Sequence, residues 1–242
     1  MTTTLITQVA LIIALASFAQ ALSGFGFALV AVPLLALLTG PQNAVVVVTS
    51  LGLVLSLTVC VHQRHHVNVR TASLVSGAGL LGMPLGLLAV TVLSAGSLSV
   101  LIACAVLVFA VLIGRGMTFR RGTGPTVASG VASGALLTST GMNGPPLVAA
   151  FQAMGLAPRE FRATLQATFC VQNVLALAGF LAVGRLTADT LLLAGAGLPG
   201  LLVGWWSGDR VFARTDAARF KKIVLGVLVT SACVSLYQAA LT

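Results

Sequence analysis

Charge is what this sequence has least of. Only 7% of its 242 residues are Asp, Glu, Lys or Arg, against about a quarter in a soluble domain, so an ordinary water-facing surface is excluded. Acid is scarcer than base: four residues, Glu160, Asp189, Asp209 and Asp216, all in connections or at the edges of apolar runs. That argues against a carboxylate-built cation site at membrane depth. Aromatics reach only 6%, so the apolar content rests on Leu, Val and Ala. Cysteine is limited to Cys60, Cys104, Cys170 and Cys233, each within an apolar run and none in CxxC spacing. No disulfide framework or metal site follows; the four read as small buried hydrophobes, and no cofactor is expected.

Hydrophobicity is abundant. Apolar residues make up 58% of the chain and mean hydropathy is +1.08. The runs are continuously apolar, whereas barrel strands alternate, so an all-α integral membrane protein is the remaining way to satisfy the backbone in lipid. The N-terminal stretch MTTTLITQVALIIALASFAQA lacks a basic leading region, and is expected to be structure rather than a signal peptide. A formal charge of +9 would suit nucleic acid, but the basic residues sit in short connections between apolar runs. They report orientation in a membrane, and no nucleic-acid partner is expected.

The chain repeats itself. GFGFALVAVPLL at 24–35 aligns with GMNGPPLVAAFQ at 141–152, an offset of 117 that also carries Pro41 onto Pro158. GAGLLGMPLG at 77–86 aligns with GAGLPGLLVG at 195–204 at an offset of 118, so that Gly77, Gly79, Gly82 and Gly86 meet Gly195, Gly197, Gly200 and Gly204. Two halves follow: a first transmembrane repeat over 1–114, a cytoplasmic linker over 115–125 and a second repeat over 126–242. The apolar runs of the first are 5–22, an interrupted 24–38, 44–61, 71–93 and 97–114; those of the second are 126–140, a short 144–154, 161–182, 186–208 and 223–241. The last three in each half are long enough to span, since a crossing takes about 20 residues. The first two are either two full spans or a broken-helix or re-entrant hairpin that turns at the glycines and leaves on the same side, and the hairpin is the expectation.

Charge placement supports that expectation. Connections 62–70, 115–121, 159–162 and 209–222 hold twelve of the thirteen Lys and Arg, which makes them cytoplasmic. Tracing the chain from there, the pair 126–154 begins and ends inside, as a hairpin does. Three spans and one hairpin per half give an odd number of crossings, so the halves are inverted copies with both termini outside. Inverted repeats with interrupted helices characterise secondary transporters, whose site lies near the midplane. TSTGMNGPPL at 138–147 and its counterpart SGFGFALVAVP at 23–33 then read as turns shielded from lipid by protein, because exposed irregular backbone would leave polar groups unpaired.

These turns point to an anion. No basic side chain sits at the centre of a run, so attraction must come from dipoles: helices expected to start after Gly26 and after Pro145 present N–H groups and partial positive charge. Prolines 145 and 146 suit a first turn. The candidate binding residues are Ser23, Gly24, Phe25, Gly26, Phe27, Thr140, Gly141, Asn143, Gly144 and Pro145 at the turns, with Thr49, Ser50, Gln166 and Asn173 on the spans that follow. Thr138, Ser139 and Gln172 are further hydroxyl and amide donors of the same kind. Thr49 and Gln166, mates at the 117 offset, are with Asn143 the foremost ligands; Phe25 and Phe27 are the expected gates. The alternative for any one of them is helix-to-helix bonding.

Other features have structural readings. The repeated glycines suit close helix packing, Trp205 and Trp206 beside Asp209 and Arg210 suit an interfacial belt, and His62, His65 and His66, with Arg64 and Arg70 nearby, suit a solvated cytoplasmic edge rather than a metal site.

The SGFGF turn followed by an apolar helix with Pro33, the TGPQNAVVVVTSL run, the GxxxG-bearing span, and a second copy with TGMNGPPL and FRATLQATF together resemble the TauE/SafE sulfite-exporter (TSUP) family. The resemblance covers nearly the whole chain. It implies transport of small, often sulfur-containing anions such as sulfite, sulfoacetate or related organic acids across the bacterial inner (cytoplasmic) membrane. Phe25 and Phe27 around Gly26, and Met142 with Asn143, depart from the glycine-richer turns of relatives.

The expectation is therefore a secondary anion transporter working by alternating access. Moving one charge through 100 mV is worth about 2.3 kcal/mol, so a dianion leaving an inside-negative cell gains about 4.6 kcal/mol and export needs no coupling. A passive anion channel would show rings of basic residues, an importer would need protons or sodium, and an intramembrane enzyme would need a buried nucleophile and base; the sequence offers none of these groups. The expected partners are the lipid bilayer and a small anionic substrate, with a homodimer as one option.

Overall fold

In the computed structural model, residues 2–115 and 121–212 are described. The run 223–241, with Cys233 and the expected position of the C-terminus, lies outside the described residues, as does 116–120 of the linker. Every regular element described is helical: α1 (Thr3–Ser23), α2 (Phe27–Thr39), α3 (Pro41–Gln63), α4 (Val69–Val92), α5 (Ala95–Arg115), α6 (Thr123–Thr140), α7 (Gly144–Met154), α8 (Pro158–Ala182) and α9 (Ala188–Phe212), with a 3₁₀ turn at Arg64–His66. Among the described residues, six helices, α1, α3, α4, α5, α8 and α9, are long and apolar enough to cross a membrane. The protein is an all-α, multi-pass membrane protein.

The two members of each early pair differ in length. At about 1.5 Å per residue, α1 with 21 residues could cross unaided, while α2 has 13 and α7 has 11. The 18-residue α6 is rich in Gly, Ser and Thr and is not among the six. Its Ser129, Ser133, Thr138, Ser139 and Thr140 are buried, and all but Ser133 return their hydroxyl to the carbonyl four residues back.

Small residues set the closest packing. A Cβ added to Gly200, Gly204 or Gly208 of α9 would strike the backbone of Ala10, Ala14 or Phe18 on α1. The numbers rise in step, so α1 and α9 run parallel. On the other side, Gly82 and Gly86 of α4 face the Val131 and Ala135 carbonyls of α6, and Gly130 and Gly134 of α6 face those of Val75 and Gly79. These helices are parallel too. Between the two pairs lie α3 and α8, the most enclosed of the spans, with Val45–Val48 of α3 all buried. They are antiparallel: Gly52 of α3 meets Asn173 of α8, while Asn68, just past α3, bonds Thr164 and Glu160 near the start of α8. Exposed Leu and Val such as Leu81, Leu85, Leu88 and Val92 on α4 and Leu202 and Val203 on α9 form the face turned to lipid.

Candidate functional site

Glycine breaks the helices where the alignment places the turns. Gly24 (φ +84°) ends α1 and Gly141 (φ +72°) ends α6; this left-handed backbone costs other L-residues about 1–2 kcal/mol. Each turn is then tied down by side chains. Ser23 Oγ accepts from Gly26 N at 3.0 Å and donates to the Ala19 carbonyl at 2.8 Å. Gln20, 4% exposed, straddles the first turn, donating Nε2 to the Gly24 carbonyl at 3.1 Å and accepting from Phe27 N at Oε1, 3.0 Å. At the second turn, Asn143 Nδ2 donates to Gln172 Oε1 at 3.0 Å, and the Ser133 hydroxyl lies 2.8 Å from that same oxygen and 3.2 Å from the Asn143 carbonyl.

The two turns meet on α8. Gln166 donates Nε2 to the Gly24 carbonyl at 2.9 Å, and Gln172 holds Asn143. Counting from Pro158, these contacts fall about 12 and 21 Å along a helix about 37 Å long, on either side of its centre. The turns also touch one another: a Cβ on Gly144 would lie 3.1 Å from Phe25 Cβ, and one on Gly141 would lie 2.9 Å from Val32 of α2.

Between them is a hollow lined by the two turns, α3 and α8. Its polar wall is Gln20, Asn143, Gln166 and Asn173; Phe25, Phe27, Met142 and Phe169 supply apolar surface, and no lining residue is titratable. Space open to the centre of a water-sized sphere is about 30 Å³, enough for one or two waters and too little for a hydrated oxyanion. Four pairs of lining residues are mates at the 117 offset: Phe25 with Met142, Phe27 with Gly144, Ala28 with Pro145, and Gly52 with Phe169.

Of the residues singled out from sequence, Phe25, Phe27, Gly141, Asn143, Gly144, Pro145, Gln166 and Asn173 line the hollow. Ser23, Gly24 and Gly26 shape the first turn behind it. Thr49, Ser50 and Thr140 do not line it: their hydroxyls donate to the Val45, Val46 and Leu136 carbonyls of their own helices at 2.8 Å. Thr49 is therefore not the counterpart of Gln166 in contact, though it is in alignment, because a threonine on a helix reaches its own backbone more easily than a cavity. Helix α7 starts at Gly144, not after Pro145. With prolines next, Gly144 carries the only N–H among its first three residues, whereas α2 has N–H groups on Phe27, Ala28 and Leu29, the first of them already donated to Gln20 Oε1.

Gln20 and Gly52, which also line the hollow, were not singled out from sequence, and Met142 stood out there only as a departure from the family's turn. Gln20 sits inside the first apolar run, and an amide at that depth was itself a signal, since it needs partners there. Elsewhere, Arg210 stacks over the Trp206 ring at 3.4 Å and Arg162 over Trp205 at 5.8 Å. His62, His65 and His66 are exposed, and among the described residues no group of three His, Cys, Asp or Glu is placed to hold a metal.

Residues 9–235 match the family described as sulfite exporter TauE/SafE. No curated protein and no solved structure matches the chain.

Proposed function

We propose that this chain, which belongs to the TauE/SafE family and is a membrane transporter rather than an enzyme, carries sulfite or a small organosulfonate such as sulfoacetate through the hollow between its two turns, by alternating access and in the direction of export. The observation that carries the reading is the hollow itself, which is built from both halves of the chain at mid-helix and walled by amides and helix N-termini without a charged side chain. Dipoles of that kind hold an oxyanion without the cost of a buried countercharge.

The halves, 1–114 and 126–242 joined by 115–125, are read as inverted repeats. Helix directions support this: α1 runs with α9, α6 runs with α4, and α3 runs against α8, so the mates α1 and α6 run in opposite senses. The paired exchange, with each half's first helix packed on the other half's fourth, provides an interface on which one half can rock. The basic connections then lie inside and the N-terminus outside. Each early pair acts as a hairpin whose turn stays at membrane depth.

The hollow has room for one or two waters, so an anion enters only when its walls part. Phe25 and Phe27, mates of Met142 and Gly144, are the natural gates. A passive channel would keep a continuous polar path, and no lining residue provides a charged ring.

The test is flux in proteoliposomes. Sulfite or sulfoacetate efflux should saturate with concentration, and Asn143→Ala and Gln166→Ala should reduce it several-fold while the protein still elutes as a single folded species. Unsaturable conductance would remove the carrier reading, and full saturable flux in both variants would remove the hollow as its site.

A further inference from the structure

We propose that the hollow takes a singly charged oxyanion still bearing a proton, in preference to the fully ionised dianion of the same acid. This rests on reading the hollow as the substrate site. Its first support is a set of amides whose directions are set by the backbone. Phe27 N donates to Gln20 Oε1, so Gln20 turns Nε2 to the Gly24 carbonyl. A carbonyl oxygen only accepts, so Gln166 must present Nε2 to it as well. Gln166 is 1% exposed, lines the hollow, and has no partner for its Oε1 among the described residues. A buried acceptor left in that state is unfavourable. An O–H on the cargo satisfies it; a bare anionic oxygen is repelled by it.

The second support is the charge available. Helices α1, α2 and α7 carry no charged residue, and α3 has only His62 near its far end. On α8 the charged residues all precede Gln166, the last of them Arg162 one turn earlier, on which Asp209 of α9 acts electrostatically; none of them lines the hollow. The self-energy of a buried ion rises with the square of its charge, so a dianion costs about four times as much to hold there as a monoanion. No lining group can give or take a proton. The proton therefore enters and leaves on the anion.

Binding to the purified full-length protein, by calorimetry with sulfite and with methanesulfonate at a series of pH values across the second ionisation of sulfite, tests this. Methanesulfonate keeps one negative charge throughout and has no O–H. Apparent affinity for sulfite should fall about tenfold per pH unit above that ionisation, while methanesulfonate should bind about tenfold or more weakly than hydrogensulfite and independently of pH. Gln166→Met should equalise the two monoanions. Thr49→Ala, a buried change on a neighbouring helix whose hydroxyl is bonded to the Val45 carbonyl and does not line the hollow, should keep the preference. Sulfite affinity that stays flat through the ionisation, or methanesulfonate binding as tightly as hydrogensulfite to the wild-type protein, overturns the proposal, and these two arms decide even if a variant does not fold. Absence of binding and flux for both anions at every pH instead overturns the substrate-site reading beneath it.

Discussion

Gly144 lies against Phe25. A methyl group built on Gly144 would sit 3.1 Å from Phe25 Cβ and 3.3 Å from its carbonyl oxygen, so the second turn meets the first through bare backbone. The contact joins residues more than a hundred positions apart and forms one wall of the hollow. Gly144→Ala should force the turns apart, lowering the thermal midpoint by the equivalent of about 1–3 kcal/mol and cutting saturable anion flux several-fold. Unchanged flux and melting would mean that the turns have slack between them.

The two left-handed glycines should respond unequally. Around Gly24 nothing lies within 4 Å of an added Cβ, whereas at Gly141 the methyl would meet Val32 at 2.9 Å. Gly24→Ala should therefore cost only the conformational term of about 1–2 kcal/mol, and Gly141→Ala more. Thermal unfolding of the two variants side by side checks the order.

The repeated glycines divide in the same way. At Gly82 and Gly200 an added Cβ collides with the Val131 and Ala10 carbonyls, while at Gly77 and Gly195 it meets nothing within 4 Å. Ala at 82 or 200 should destabilise strongly, by several kcal/mol, because backbone must move. Ala at 77 or 195 should be neutral or stabilising by up to about 1 kcal/mol through helix propensity. Melting curves that rank the four otherwise would refute the packing account.

Thr49 and Asn143 make a further contrast. Both are buried, but only Asn143 lines the hollow, and the Thr49 hydroxyl is spent on Val45. Thr49→Ala should leave transport KM within about twofold, as expected when no ligand contact is lost. Asn143→Ala should raise KM or lower the maximal rate at least several-fold. A double-mutant cycle of Asn143→Ala with Gln172→Leu should show coupling of about 0.5–3 kcal/mol, read from thermal stability.

Much of the fold was legible because lipid imposes a simple rule. A run of some twenty apolar residues must be a helix, and the runs at 44–61, 71–93, 97–114, 161–182 and 186–208 correspond to α3, α4, α5, α8 and α9. The helix breaks were legible too, since glycine is the residue for a left-handed cap, and Gly24 and Gly141 both take that conformation. Contacts were harder to read. The 117 offset aligned Thr49 with Gln166, yet a threonine hydroxyl reaches its own helix while the longer glutamine amide reaches Gly24. The buried amide of Gln20 signalled a need for partners, but not that they would be Gly24 and Phe27, four and seven positions on across the turn.

The sequence by itself determined a helical membrane protein with glycine-broken early segments and a low-charge interior, because those follow from composition and from backbone needs that every residue carries wherever it sits. Only the tertiary structure decided that α1 packs on α9 and α6 on α4, that both turns reach the middle of α8, and that Asn143, Gln166 and Asn173 share a wall with Phe25. Those depend on how far each side chain reaches and on which backbones come close enough to exclude a methyl group, and both are set between helices, not along one.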